Sequence, residues 1–526
     1  MSDPKADTAV HFDPIPPTPD SPAGPLRHTT EGPVRGLAQG ATDAWYGIPF
    51  AAPPVGELRF RRPVPPAMRT TVFTADSWGP APVQTPRPEA FGGVGENPEM
   101  DEDCLTLTIV TPHTESHGPL PVLVWIYGGA FAIGVNRNYD ARVLAERTGC
   151  VVVSPNYRVG PFGFIDFSAL SGPEHVFESN VGLYDQIRAL DWVRENIAAF
   201  GGDLAAVTVF GESAGAMSVL ALMAMPDAHG LFHRAIAQSP APASMLSVEQ
   251  AGRWAEVLLD DLATDQTSSA ERAQRLARAS AAELLQAFEA LNEQAPELAP
   301  GLMICGPVVD GESLPSAPLA ALADGSAAAV PLLIGTNDNE GTLFAIGAQA
   351  GGGETIPVLP ETLERVFAAA PGWPEVLAAY PDYPRDAPRL GGDAVFWYPT
   401  VCAAELHARH NPVWLYRFDY VSEDPRFGAF GATHGAEIPH VFGRSRATVM
   451  AEGDSAGDSR DARFSARMMD LWGSFARTGQ PGGDWPGFDE RERRTLILDA
   501  QPRVESDPRS ARRAALAAYV QGATGD

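Results

Sequence analysis

Five short, predominantly apolar runs punctuate this chain, and the stretches between them restrict what it can fold into. The runs occupy residues 120–127, 150–154, 207–210, 331–335 and 413–418. A run without polar alternation suits a strand covered on both faces. Residues 183–200 repeat apolar side chains at helical spacing, and residues 214–225 are apolar nearly all round, as a central buried helix requires. Strands alternating with helices predict an α/β fold with a central, mostly parallel sheet flanked by helices. Residues 250–292, rich in Ala, Leu, Arg and Glu, predict two or three amphipathic helices, and residues 351–390 are broken by Pro and Gly. Both are expected to be insertions above the sheet. The expectation is therefore one domain over residues 29–520. Residues 1–28 hold seven prolines with little apolar periodicity and are expected to be a disordered tail.

The chain's charge excludes several function classes. A net charge of −28 leaves no cation excess to neutralise phosphates or anionic lipid, so neither a nucleic acid nor a membrane surface is expected as a partner. Four cysteines in 526 residues, none in C-x-x-C spacing, give neither a disulfide scaffold nor a redox motif. The N-terminus lacks the apolar segment of a secretory signal, and no run reaches the roughly 18 apolar residues of a membrane span. A cytoplasmic protein is expected. Nothing in the pattern sets an oligomeric state.

The chemistry centres on Gly211-Glu212-Ser213-Ala214-Gly215. Gly-x-Ser-x-Gly is a moderate signal alone, but here it follows a predicted strand and precedes a predicted helix. That setting is a nucleophile elbow, where flanking glycines relieve crowding around an exposed serine. The bland alternative is a strand-to-helix turn with a serine cap. A serine nucleophile needs a base and donors for the oxyanion. Gly128-Gly129-Ala130-Phe131 follows the first buried strand, and the amides of Gly129, Ala130 and Ala214 are the expected oxyanion hole. For the base, His434 lies in a small-residue loop past the last strand, with His440 as runner-up; His407 and His410 read as surface residues of a helix. For the acid, Asp338 and Glu340 both fit the turn after residues 331–335.

These residues carry a family resemblance. The run from Phe200 through Gly215 matches the serine signature of the type-B carboxylesterases, a group that includes cholinesterases and bacterial para-nitrobenzyl esterases. Glu102-Asp103-Cys104-Leu105 resembles its second signature, with Thr108 where Asn is usual, and further similar segments run from about Thr29 to Asp507. The resemblance implies an α/β-hydrolase fold and hydrolysis of small to medium uncharged carboxylic esters through an acyl-enzyme, without metal or cofactor. It implies Glu340 as the acid, supports His434 as the base, and leaves Asp338 as a turn residue. It places Glu212, Glu437 and Ser239 as polar residues around the site, although each also reads as an ordinary structural hydrogen-bonding group. Amide, carbamate or lactone hydrolysis by the same triad is the alternative, and a non-catalytic interaction module of this fold a remote one.

Departures from the family pattern sharpen these expectations. No cysteine stands upstream to pair with Cys104, so a free buried thiol is expected. Residues 83–103 contain no Trp or Tyr, which leaves a choline-binding cation–π site unsupported. Ala130 stands where many members have glycine. Phe131, Phe344, Phe396 and Trp397 are candidate pocket aromatics that also read as core.

Overall fold

The computed structural model describes residues 23–87, 99–114, 118–263, 268–349, 354–443 and 459–524. Among them, thirteen strands form one sheet. Its longer strands are β1 (Ala23–Thr29), β2 (Gly32–Gln39), β3 (Thr42–Pro49), β4 (Thr106–Pro112), β5 (Leu120–Ile126), β6 (Val151–Pro155), β7 (Gly202–Glu212), β8 (Arg234–Gln238), β9 (Leu332–Asn337), β10 (Val413–Phe418), β11 (Arg494–Leu498) and β12 (Arg503–Ser506). The spatial order is β1-β2-β3-β4-β6-β5-β7-β8-β9-β10-β11-β12, with Phe73–Thr74 pairing beside β2. From β6 to β11 every neighbouring pair is parallel. The margins are antiparallel. Every residue of β6, β9 and β10 is buried, which explains their lack of polar alternation.

This order sets where a site can form. The chain passes from β5 outward to β6, then returns so that β7 lies on the other side of β5. Such a reversal opens a crevice at the carboxyl ends of the two strands flanking it. The turn after β5 and the turn after β7 meet there. The helix Ala214–Ala224 leaves β7 at this point, packs against β7 and β8, and is buried at every residue. That explains its apolar composition on all faces.

Three helices, Val248–Leu262, Ser269–Arg278 and Ala281–Leu298, fill the first inserted region. Each starts in a capping box, with Ser247, Ser268 and Ser280 reciprocated by Gln250, Glu271 and Glu283. The second region holds Pro360–Phe367, Trp373–Ala378 and Ala387–Gly392, the last continuing into a wide π-helical turn, Asp393–Trp397.

Two expectations are corrected. Residues 23–28 belong to β1 rather than to a tail; residues 1–22 of that tail lie outside the described residues. β1 is an edge strand, where Pro25 is tolerated because one side of its backbone needs no partner. His407 is a core residue, 1% exposed, with Nε2 2.8 Å from the Val330 carbonyl. Its helix buries the face carrying Ala403, Ala404 and His407, and the carbonyl satisfies the polar ring. His410 is exposed, as expected.

Candidate active site

Ser213 is the pivot between β7 and the helix Ala214–Ala224. Its backbone sits at φ 55°, ψ −123°, a conformation that a non-glycine residue holds only when its surroundings enforce it. The enforcement is visible in the flanking glycines. A Cβ on Gly215 would lie 2.0 Å from the Ile126 carbonyl oxygen, and one on Gly211 would lie 2.6 Å from the Gly215 carbonyl carbon. The Ser213 amide donates to the Gln238 carbonyl at 2.9 Å, tying the elbow to β8.

The turn after β5 is equally unusual, with Gly129, Ala130 and Phe131 all at positive φ. Gly128 brings it against the elbow: a Cβ there would stand 3.0 Å from that of Ser213. Among the described residues, no acceptor takes the amides of Gly129, Ala130 or Ala214. They are open donors beside the serine.

The candidate acid and base come from the turns after β9 and β10. Glu340, 2% exposed, accepts three hydrogen bonds. Its Oε2 lies 2.6 Å from Nδ1 of His434, and its Oε1 accepts from the Ser239 hydroxyl at 2.7 Å and the Asn337 amide at 2.6 Å. Nε2 of His434 stands 3.3 Å from Oε1 of Glu212, within ion-pair range, yet neither atom has a hydrogen-bond partner among the described residues. Phe344 and Phe396 close on the imidazole, with ring centroids at 4.9 and 4.6 Å. Burial pulls the pKa of His434 down, but the carboxylates of Glu212 and Glu340 outweigh it and raise it to about 9. Burial pushes the Glu212 carboxyl up to about 8, against the pull of His434.

Beneath this pair runs a buried amide–carboxylate network. Asn337 Nδ2 donates to the Thr433 carbonyl and to Oε2 of Glu437, both at 2.6 Å. Gln238 Nε2 donates to Oε1 of Glu437 at 3.1 Å, and Trp472 Nε1 donates to Oε1 of Gln238 at 3.0 Å. Asn337 thus links the acid turn to the residue preceding His434. The sequence carries no signal for Asn337, Gln238 and Trp472, because these side-chain contacts join residues 96 or more apart.

The competing candidates are engaged elsewhere. Nδ1 of His440 lies 2.8 Å from the Ser465 hydroxyl, and its ring packs among Phe418, Tyr420 and Phe464. Asp338 is gripped by Arg389 and Arg509. Ser213 opens onto a cleft of about 940 Å³, its mouth included, lined by Ala130, Met217, Ile304, Phe344, Ile356 and Phe396 among others. Among the described residues, Glu354 is the one carboxylate on that lining, and the amides of Val358 and Leu359 and the Thr362 hydroxyl bind it. Of the four candidate aromatics, Phe344 and Phe396 line the cleft; Phe131 is fully buried against Phe164, and Trp397 is buried beneath Arg509. The four cysteines are free, Cys104, Cys150 and Cys305 buried.

The model of the carboxylesterase family matches residues 23–355 and 378–516. The chain belongs to the carboxylesterase family. It is a serine carboxylic-ester hydrolase with the α/β-hydrolase fold. The esterase is 38% identical over 496 residues to the para-nitrobenzyl esterase of Bacillus subtilis, covering 92% of this chain and 97% of that one. It is 33% identical to the phenmedipham hydrolase of Pseudarthrobacter oxydans, covering 90% and 95% of the two chains. A solved PNB esterase structure superposes with a TM-score of 0.81 at 37% identity, over 93% of the esterase and 99% of that chain.

Proposed function

We propose that the esterase uses Ser213 as nucleophile, His434 as general base and Glu340 as the acid that orients it, with the amides of Gly129, Ala130 and Ala214 as the oxyanion hole. The reading rests on one observation above the others. A serine held at positive φ lines the cleft whose wall includes the two rings packed on His434, and His434 is bound to Glu340 at 2.6 Å. In the first step the Ser213 hydroxyl oxygen bonds to the ester carbonyl carbon and its proton passes to Nε2 of His434. Negative charge collects on the carbonyl oxygen, where the open amides receive it. Glu340 stabilises the imidazolium and fixes its tautomer. The carbon–alkoxy bond then breaks, and the leaving alkoxide takes the proton from His434. Water repeats the cycle on the acyl-enzyme and releases the acid. Glu212, Ser239 and Glu437 hold the charge and geometry around this pair.

The substrates are small to medium uncharged esters. The described cleft wall is predominantly apolar, and its carboxylate, Glu354, is bound internally, so a charged substrate would lose its hydration without a partner there. We also infer a bacterial source, since the relative in Bacillus subtilis is bacterial, and a cytoplasmic setting, because free, buried thiols suit a reducing compartment. A fluorophosphonate probe tests the nucleophile. It is expected to label the wild type and not Ser213→Ala; equal labelling of both would remove the assignment. Nitrophenyl esters of increasing chain length, with anilide, carbamate and carboxylate-bearing analogues, test the substrate class. Preferred turnover of the charged or non-ester analogues would overturn it.

A further inference from the structure

Asp338, the acid candidate that the site does not use, lies two residues before Glu340, and what holds it comes from the far end of the chain. Arg509 Nη2 donates to the Asp338 carbonyl at 2.6 Å and also to its carboxylate. Arg389 binds the same carbonyl at 3.0 Å and the same carboxylate at 3.1 Å. The other arm of Arg509, Nη1, reaches Asp393 Oδ1 at 3.1 Å, and its guanidinium lies 5.5 Å from the Trp397 ring centroid. The Arg509 side chain is 9% exposed and that of Asp393 4%, so the pair they form is poorly screened.

The second anchor gives the first its meaning. Asp393 and Trp397 bound the π-helical turn that follows Ala387–Gly392. This element closes over the acid: a Cβ on Gly392 would stand 2.5 Å from the Gly341 amide nitrogen and 3.0 Å from the Glu340 Cβ. The same turn carries Phe396, whose ring packs 4.6 Å from that of His434 and lines the cleft. The acid turn carries Glu340 and the π-helical turn carries Phe396, two of the groups that meet the imidazole of His434. One guanidinium bonds to both turns. Wide turns of this kind persist where surrounding contacts hold them.

We propose that Arg509 is a positioning residue of the esterase, tying the acid turn to the π-helical turn so that Glu340 and Phe396 hold the imidazole of His434 in register. The proposal rests on Glu340 being the acid. It makes the C-terminal segment part of what sets turnover, although none of its described residues lines the cleft. An offset of an ångström at a reacting group costs far more in rate than in binding.

The test compares Arg509→Leu, Arg509→Lys and Arg512→Leu in the full chain. Arg512 binds Asp393 at 3.3 Å but makes no contact with Asp338, so it controls for loss of a C-terminal ion pair. Each variant is assayed on a nitrophenyl ester below its own melting temperature. Arg509→Leu is expected to lose about tenfold in kcat with KM within about twofold, Arg509→Lys to recover part of that loss, and Arg512→Leu to stay within about twofold. A folded Arg509→Leu with wild-type kcat would overturn the proposal, as would an equal kcat loss in Arg512→Leu. Should Arg509→Leu fail to fold, Asp338→Asn decides, with a fall of about threefold in kcat expected and an unchanged kcat overturning the proposal. A Glu340→Gln enzyme with full kcat would instead remove the acid assignment itself.

Discussion

Six positions separate His434 from His440, and both rings are buried, 8% and 2% exposed. Burial alone would depress both pKa values. It does so only for His440, down to about 4, where a serine hydroxyl and three aromatic rings surround it and Asp461 adds too little to offset desolvation. Around His434 the charges of Glu212, Glu340 and Glu437 reverse the sign and bring it to about 9. The same residue type at the same depth has its cation favoured in one region and its neutral form favoured in the other. Depth sets how strongly a neighbour is felt, and the neighbour's charge sets the direction.

Ser213→Ala and His434→Ala are expected to lower kcat by about 10⁴-fold or more, whereas His440→Gln keeps kcat within about twofold. Steady-state turnover of a nitrophenyl ester checks this, and a His440→Gln enzyme as inactive as His434→Ala would erase the contrast. Glu340→Gln comes next, at about 10²–10⁴-fold in kcat. Its amide cannot accept from the Ser239 hydroxyl, the Asn337 amide and His434 all at once.

Glu212→Gln tests the source of the sign. His434 must be neutral to accept the serine proton, and the Glu212 carboxylate favours its cation. Removing that carboxylate should lower the pKa of His434 and move the acidic limb of kcat/KM to lower pH. A limb that stays in place would assign the raised pKa to Glu340 and Glu437.

The sequence revealed what depends on neighbours in the chain. The parallel strands show as apolar runs because both faces are covered, and the Ser213 elbow shows because Gly211 and Gly215 must be small at a fixed spacing from it. On the residues alone Asp338 and Glu340 are equivalent candidates, since choosing requires knowing which carboxylate meets a histidine 94 positions away and which meets an arginine 171 away. The amides of Asn337 and Gln238 carried no signal, because a polar residue is distinguished there only by a carboxylate brought to it by folding. His407 misled for the same reason: its partner, the Val330 carbonyl, lies 77 residues upstream.

The smallest effect on turnover, His440→Gln, should have a visible effect on stability. With a folded pKa of about 4 against an unfolded value of about 6.5, His440 binds its proton more readily in the unfolded chain. Its contribution is complete above about pH 6.5 and is lost as pH falls toward 4, amounting to about 3 kcal/mol at the acid end. His434 has the opposite slope: with a folded pKa of about 9, its contribution is complete below about pH 6.5 and fades as pH rises through 9. Melting temperatures followed from pH 4 to pH 9 separate the two. His440→Gln should flatten the acid side and leave the alkaline side as it was, and His434→Gln should do the reverse. If both variants flatten the same side, the two buried imidazoles do not differ in sign, and the carboxylates around His434 do not set its charge.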